Sequence, residues 1–288
     1  MKKQQFILVG SGIVLLVLLY FFGNTVPPKK ETQSAVAVAQ AGQQAPTQKI
    51  AFNTILQAAK QKLTPSQQEY TTRLESSVVR GDVKAQQIKV YQQLAAFWKD
   101  SAHYFEPYAW YIASAAKLEN SEKSLTFAAR QFLNALQGTN TPQVKTWMAD
   151  QAKELFEKAL ELNPANDSSR IGLGSCYIFG SSAESPQEMM QGIQQILAVA
   201  NRDSTNMYAQ LMLGVGGVVS GQLDKAQARL TKVVEHEPAN LEGLLMLAEV
   251  YERKGEKAAA AKWYEQAGKY ITDEGMKEEL NNKIKTLK

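Results

Sequence analysis

Apolar and polar positions alternate along this chain at two scales. Within segments of 12 to 20 residues they follow a helical period, with an apolar stripe on one side and charged or amide side chains on the other. Ile88, Tyr91, Leu94, Ala95 and Trp98 form one such stripe, and Met276, Leu280, Ile284 and Leu287 form another. Across segments, a longer register appears. Leu213-Gly214, Gly217, Ala226, Leu230 and Val233 are answered 34 positions later by Leu247-Ala248, Tyr251, Ala260, Tyr264 and Ala267. An earlier copy offers Leu173-Gly174 and Tyr177, then Gly192, Ile196 and Val199, and Ala152, Phe156, Ala159 and Pro164 precede it as a half-pattern. Pro164 and Pro238 stand 74 apart, two periods plus six, and the six extra residues fit the loop at Ser181–Pro186.

Each copy reads as two helices joined by a turn. Small residues (Gly174, Gly214, Ala248, Ala226 and Ala260) fall where the helices approach closely, and Phe156, Tyr177, Leu230 and Tyr264 fill the space beside them. A hairpin of this size cannot bury its apolar face alone, so stability must come from stacking on neighbours.

Punctuation places the other elements. Ile50–Leu63 reads as a short amphipathic helix. Thr64-Pro65 opens a helix to about residue 80, and Asp82 caps the next, to about Lys99. Helices near 107–118, 122–137 and 142–163 follow, with Asn120-Ser121 and Thr141-Pro142 as start signals, and Asp273 opens a last helix suited to covering the final copy. The expected organisation is an N-terminal anchor over 1–23, a linker over 24–49, degenerate helical hairpins over 50–140, clear repeats over 141–272 and a capping helix over 273–288.

The 34-residue helix–turn–helix period resembles the tetratricopeptide repeat (TPR) family. That resemblance implies an all-α solenoid of antiparallel hairpins that binds other proteins. It also implies that positions 2, 5, 9, 12 and 13 of each first helix line a concave groove. The first clear copy then presents Ser168, Ile171, Ser175, Ile178 and Phe179; the next presents Tyr208, Leu211, Val215, Val218 and Val219; the last presents Glu242, Leu245, Glu249, Glu252 and Arg253. Of these, Ile171, Ser175, Ile178, Tyr208, Leu211, Val215, Val218, Glu242, Leu245 and Glu249 are the expected partner contacts. Such a groove is apolar through its middle and acidic toward the C-terminal end. It lacks the Lys and Asn with which co-chaperone relatives hold a carboxylate-terminated peptide, and suits an apolar segment carrying basic residues.

The N-terminus changes the picture. Phe6–Phe22 is a 17-residue run without charge, about 25 Å long as a helix, near the lower limit for a bilayer crossing. Lys2 and Lys3 precede it, favouring a cytoplasmic N-terminus. A cleaved signal peptide is the rival, with Ala37-Val38-Ala39 as a distant cleavage site. Residues 23–49, rich in Pro, Gln, Ala, Thr and Ser, read as a tether. The expected protein is thus a single-pass bacterial inner-membrane protein with its repeats in the periplasm.

Charge excludes one class. Residues 1–49 carry a net +4, and the remaining chain holds 27 basic and 27 acidic residues, so no nucleic-acid-binding face is expected. His103 and His236 are the only histidines, without metal-spaced partners, and Cys176 is the sole cysteine, beside a packing residue and without a base nearby in sequence. Gly172, Gly174, Gly214, Gly216 and Gly217 lie inside helices with no preceding strand, and read as contact points, not a phosphate loop. The run Trp98, Tyr104, Phe105, Tyr108, Trp110 and Tyr111 reads mainly as core. No catalytic residue, metal or cofactor is expected. Alternatives to the scaffold are a chaperone-like holder of unfolded or newly translocated chains, for which charging Leu211 or Val215 should abolish capture and spare the fold, and a self-associating structural protein.

Overall fold

The computed structural model describes residues 50–80, 83–136, 138–180 and 186–288, all within one unit, Thr47–Lys288. The anchor at Phe6–Phe22, the 24–49 linker, the Asp82 cap and the Ser181–Ser185 part of the insertion loop lie outside the described residues. Among those described, no helix is long and apolar enough to cross a membrane.

Every described element is helical. α1 is Phe52–Lys60, α2 Pro65–Arg80, α3 Lys84–Ala96, α4 Phe105–Glu119, α5 Glu122–Ala135 and α6 Pro142–Leu162. The clear repeats supply α7 (Asp167–Phe179), α8 (Pro186–Arg202), α9 (Met207–Val219), α10 (Leu223–His236), α11 (Leu241–Arg253) and α12 (Lys257–Gly268). α13, Glu274–Leu287, closes the series.

Local chemistry explains the boundaries. Thr64 and Gln67 form a reciprocal cap, the Thr64 amide donating to Gln67 Oε1 at 3.0 Å and the Gln67 amide to Thr64 Oγ1 at 3.4 Å, with Pro65 at the first helical position. Ser121 Oγ and Asp273 Oδ1 accept from the third amides of α5 and α13. The repeats share a start signal that their apolar register does not contain. Asn166, Asn206 and Asn240 occupy equivalent positions, and each Oδ1 accepts an amide of the first turn of α7, α9 or α11, at 2.9, 3.0 and 2.8 Å. Gly221 and Gly255, one period apart, take φ of 73° and 79° in the α9–α10 and α11–α12 turns, where a side chain would be strained.

One expectation is corrected here. The helix expected to reach about Lys99 leaves α geometry at Ala96 and continues as a turn of π-helix over Phe97–Ser101, after which exposed His103 adopts φ 57°. The extra residue per turn fully buries Trp98, and the positive φ turns the chain into α4.

Within each hairpin the two helices pack together: α3 with α4, α5 with α6, α7 with α8, α9 with α10 and α11 with α12. Each second helix then meets the following first helix, and α5, α7, α9 and α11 also touch in succession. First helices therefore share one face. The glycine expectation holds in detail: a Cβ on Gly174 would lie 2.6 Å from the carbonyl oxygen of Gly192, and one on Gly214 2.6 Å from Leu230 Cγ. α13 packs on α12, burying Leu280, Ile284 and Leu287, and so covers the end of the stack.

Candidate functional site

Six of the expected groove residues are buried in packing, although Ser175 among them also borders the inner cavity. Ile171, Ser175, Ile178, Leu211, Val215 and Val218 are all at most 5% exposed. The cause is the close spacing of first helices. Ile178 Cδ1 reaches to 3.2 Å from where a Gly216 Cβ would stand, so the Ile178 side chain of α7 fills the space that Gly216 leaves open on α9. Ser175 Oγ turns inward to donate to Ile171 O at 2.9 Å. The apolar floor expected along the groove is thus shared between neighbouring helices, and a charge at Leu211 or Val215 would attack the core, not a surface.

The other four stay within reach of solvent. Tyr208, Leu245 and Glu249 are half-buried and Glu242 is exposed. Sequence positions alone missed the residues that complete the strip. α5, outside the clear repeats, contributes Phe127, 52% exposed, with Arg130 and Asn134 one and two turns further along the same face. Their spacing of three and four was the available signal. Arg130 donates to Ser168 Oγ at 2.5 Å, and its guanidinium lies 5.8 Å from the Tyr208 ring centroid.

Four successive first helices converge on one cavity of about 230 Å³. Asn134 comes from α5, Ser175 and Phe179 from α7, Tyr208 and Met212 from α9, and Glu242 from α11. Partial withdrawal from water raises the pKa of Glu242 above the ordinary carboxylate range. Burial likewise raises that of Tyr208, against the opposing influence of Arg130. The Glu242 carboxylate has no ion-pair partner among the described residues. Such a group favours a basic visitor that supplies the missing counter-charge.

The acidic end of the strip is otherwise committed. Glu249 pairs with Arg253 at 2.5 Å, and Arg253 also donates to Val218 O at 3.1 Å. Glu252 accepts from Tyr264 Oη at 2.8 Å and pairs with Lys283 of α13 at 3.0 Å, which makes it a joint of the terminal cap. Burial alone would raise the Glu252 pKa, but hydrogen bonds from Lys283 and Tyr264 overcome this and hold it below the usual range. Cys176 is fully buried, with its thiol pKa raised by desolvation. His236 ends α10, its Nδ1 3.0 Å from Lys232 O, and His103 lies elsewhere, between the π-turn and α4.

Comparison with known proteins agrees with this geometry. Residues 211–274 match a family model described as tetratricopeptide repeat, and residues 148–166 match a second of the same description. No curated protein matches the chain. Among solved structures, a thermophilic TPR protein from Thermus thermophilus is 17% identical, with 69% of this chain and 98% of that chain covered at a TM-score of 0.52. PilW, described as a widely conserved type IV pilus biogenesis factor, is 20% identical over 69% of this chain and 85% of its own, with a TM-score of 0.48. MamA 41-end from Desulfovibrio magneticus RS-1 is 19% identical over 66% of this chain and 96% of its own, at 0.43. At 17% identity the likeness to the Thermus thermophilus protein speaks for fold alone: an all-α helical-repeat solenoid of TPR type.

Proposed function

We propose that the chain is a scaffold that holds a protein partner along its inner strip, tethered by Phe6–Phe22 to a bacterial inner membrane with the repeats on the extracytoplasmic side. The observation that carries the binding half of this reading is the cavity to which α5, α7, α9 and α11 all contribute. A surface that draws side chains from four consecutive hairpins reads an extended segment, because each helix presents its contact one step further along. Phe127 and Phe179 offer apolar contact, Asn134 and Tyr208 offer hydrogen bonds, and Glu242 offers an uncompensated carboxylate. The matching visitor is a peptide segment with an apolar side chain beside a lysine or arginine.

The tether half rests on the uncharged N-terminal run, the lysines before it and the linker composition after it. A chaperone-like holder is less well supported. Promiscuous capture draws on broad open apolar surface, whereas Leu211, Val215 and Val218 are engaged in packing.

Two experiments test the halves separately. A reporter active only outside the cytoplasm, fused after Lys288, should be active; silence removes the placement. Crosslinking in intact cells, followed by identification of the captured protein, should yield a discrete partner whose recovery falls by about tenfold with Glu242→Lys, the loss of about 1.4 kcal/mol of binding. Equal recovery from wild type and Glu242→Lys would remove the inner strip as the contact surface.

A further inference from the structure

The face of α11 opposite the inner strip borders a crevice, and the equivalent joints of the two preceding copies are bridged by polar side chains. In the first clear copy Arg170 crosses the joint, donating to Gln195 Oε1 at 3.3 Å and to Pro164 O at 2.6 Å. One copy on, the equivalent positions are Gln210, Arg229 and Ser204. Arg229 donates to Gln210 Oε1 at 2.6 Å, Gln210 Nε2 to Ser204 O at 3.1 Å, and Lys232 Nζ to the same carbonyl at 2.6 Å. A polar bridge therefore spans the joint twice, with donor and acceptor exchanged between the two copies.

In the last copy the counterparts of Gln210, Arg229 and Ser204 are Leu244, Trp263 and Pro238, so the side-chain bridge is gone. A cavity of about 360 Å³ stands there, lined by Val234, Leu244, Tyr251, Trp263 and Tyr270 with Lys262 at its wall. Leu244 is buried, Tyr251 and Trp263 are half-buried, and Tyr270 is 43% exposed. Stacking does not require this exchange, since the polar pair serves the two preceding copies. Wet aromatic surface gathered in a concavity marks contact with another molecule.

Charge says what kind. Lys262 is the only charged side chain among the described lining residues, and it makes no ion pair with any described carboxylate. The nearby Glu265, which feels its charge, is held by Lys288 at 2.8 Å. We propose that this outer crevice docks an amphipathic segment of a partner protein that presents a large apolar side chain next to a carboxylate. Its chemistry is the reverse of the inner strip's, where an acid awaits a base. Leu244 follows Glu242 by two residues, about 200° around the helix, so the two surfaces can be occupied together.

The test transplants the polar closure of the previous copy. Two fluorescently labelled 16-residue peptides share one Leu–Phe stripe, one flanked by glutamates and the other by lysines, and are titrated against the full-length chain by anisotropy. The acidic peptide should bind about tenfold more tightly than the basic one. The double variant Leu244→Gln/Trp263→Arg should lose this binding with its melting temperature unchanged. Lys262→Glu, which leaves the apolar wall intact and does not depend on the transplant folding, should reverse the preference between the peptides. Equal binding of both peptides, or an unaltered preference in Lys262→Glu, overturns the proposal. So does sedimentation showing a wild-type dimer that the transplant converts to monomer, because the occupant is then a second copy of this chain.

Discussion

The two ends of the described stack reach full burial by opposite means. Between Phe52 and Trp147 the interior is a pile of rings: Phe52 stacks on Trp110 with centroids 4.1 Å apart and lies 6.0 Å from Trp147, which meets Phe132 edge-on at 5.5 Å. Tyr111 reaches Glu75 at 2.8 Å, and burial raises its phenol pKa far above normal. From Asp167 to Ile271 the space is closed instead by removing side chains, so that Gly174 meets Gly192 backbone to backbone and Gly217 meets Ala226. Large rings fill irregular gaps and so tolerate a π-turn and a degenerate register. Small residues permit one geometry only, which must then repeat. The regular half shows its fold openly in the sequence and hides its apolar floor. The irregular half shows no such register in its sequence, and it keeps Phe127 and Tyr70 at the surface, as the regular half keeps Val219 and Tyr270.

That contrast sets the order of effects. Phe156 is the hinge between the two styles, a fully buried ring seated under Gly172. Phe156→Ala should cost about 3–5 kcal/mol, measured by chemical denaturation, because the rigid neighbouring glycine helix cannot collapse into the hole. Gly192→Ala should cost about 1–3 kcal/mol, since its Cβ would lie 2.5 Å from Gly174 O and neither backbone can yield. A neutral Gly192→Ala would mean that the helices are further apart than described.

The remaining effects are smaller. Asn206→Ala should cost about 1 kcal/mol through loss of the repeated cap, with the same expected at Asn166 and Asn240. Glu252→Gln should also cost about 1 kcal/mol at neutral pH, discounted because the pair is partly solvated. Its sign with pH follows from a folded-state pKa below the unfolded one. The stabilisation is present above the ordinary glutamate pKa and lost as pH falls through the lowered folded value, so wild type and Glu252→Gln should converge in acid. Glu242→Gln should behave oppositely. Its raised pKa favours the folded state when protonated, so the variant should gain slightly at neutral pH and match wild type in acid.

Much of this was legible in the residues. The 34-residue spacing of Leu213-Gly214 and Leu247-Ala248 gave the hairpins, and Thr64-Pro65, Ser121 and Asp273 gave real starts. The π-turn at Phe97–Ser101 was not, because its sequence is that of an ordinary helix end and tertiary burial of Trp98 decides the geometry. Nor was the composition of the strip. Whether Ile178 or Val215 meets solvent depends on how closely one first helix approaches the next, and that distance is set by glycines at other positions, such as Gly216. Phe127 and Asn134 went unread because α5 lies outside the clear copies, although they serve the same face.

The sharpest test of binding along the inner strip is a photo-crosslinking scan in intact cells. A photoreactive residue is placed singly at Phe127, Asn134 and Val219 along the strip, and at the exposed Glu278 of α13 as control. A partner held by successive first helices gives one shared adduct from the three strip positions and none from Glu278. Adducts from Glu278 alone, or no adduct at any strip position in cells where Glu278 captures the partner, would contradict it.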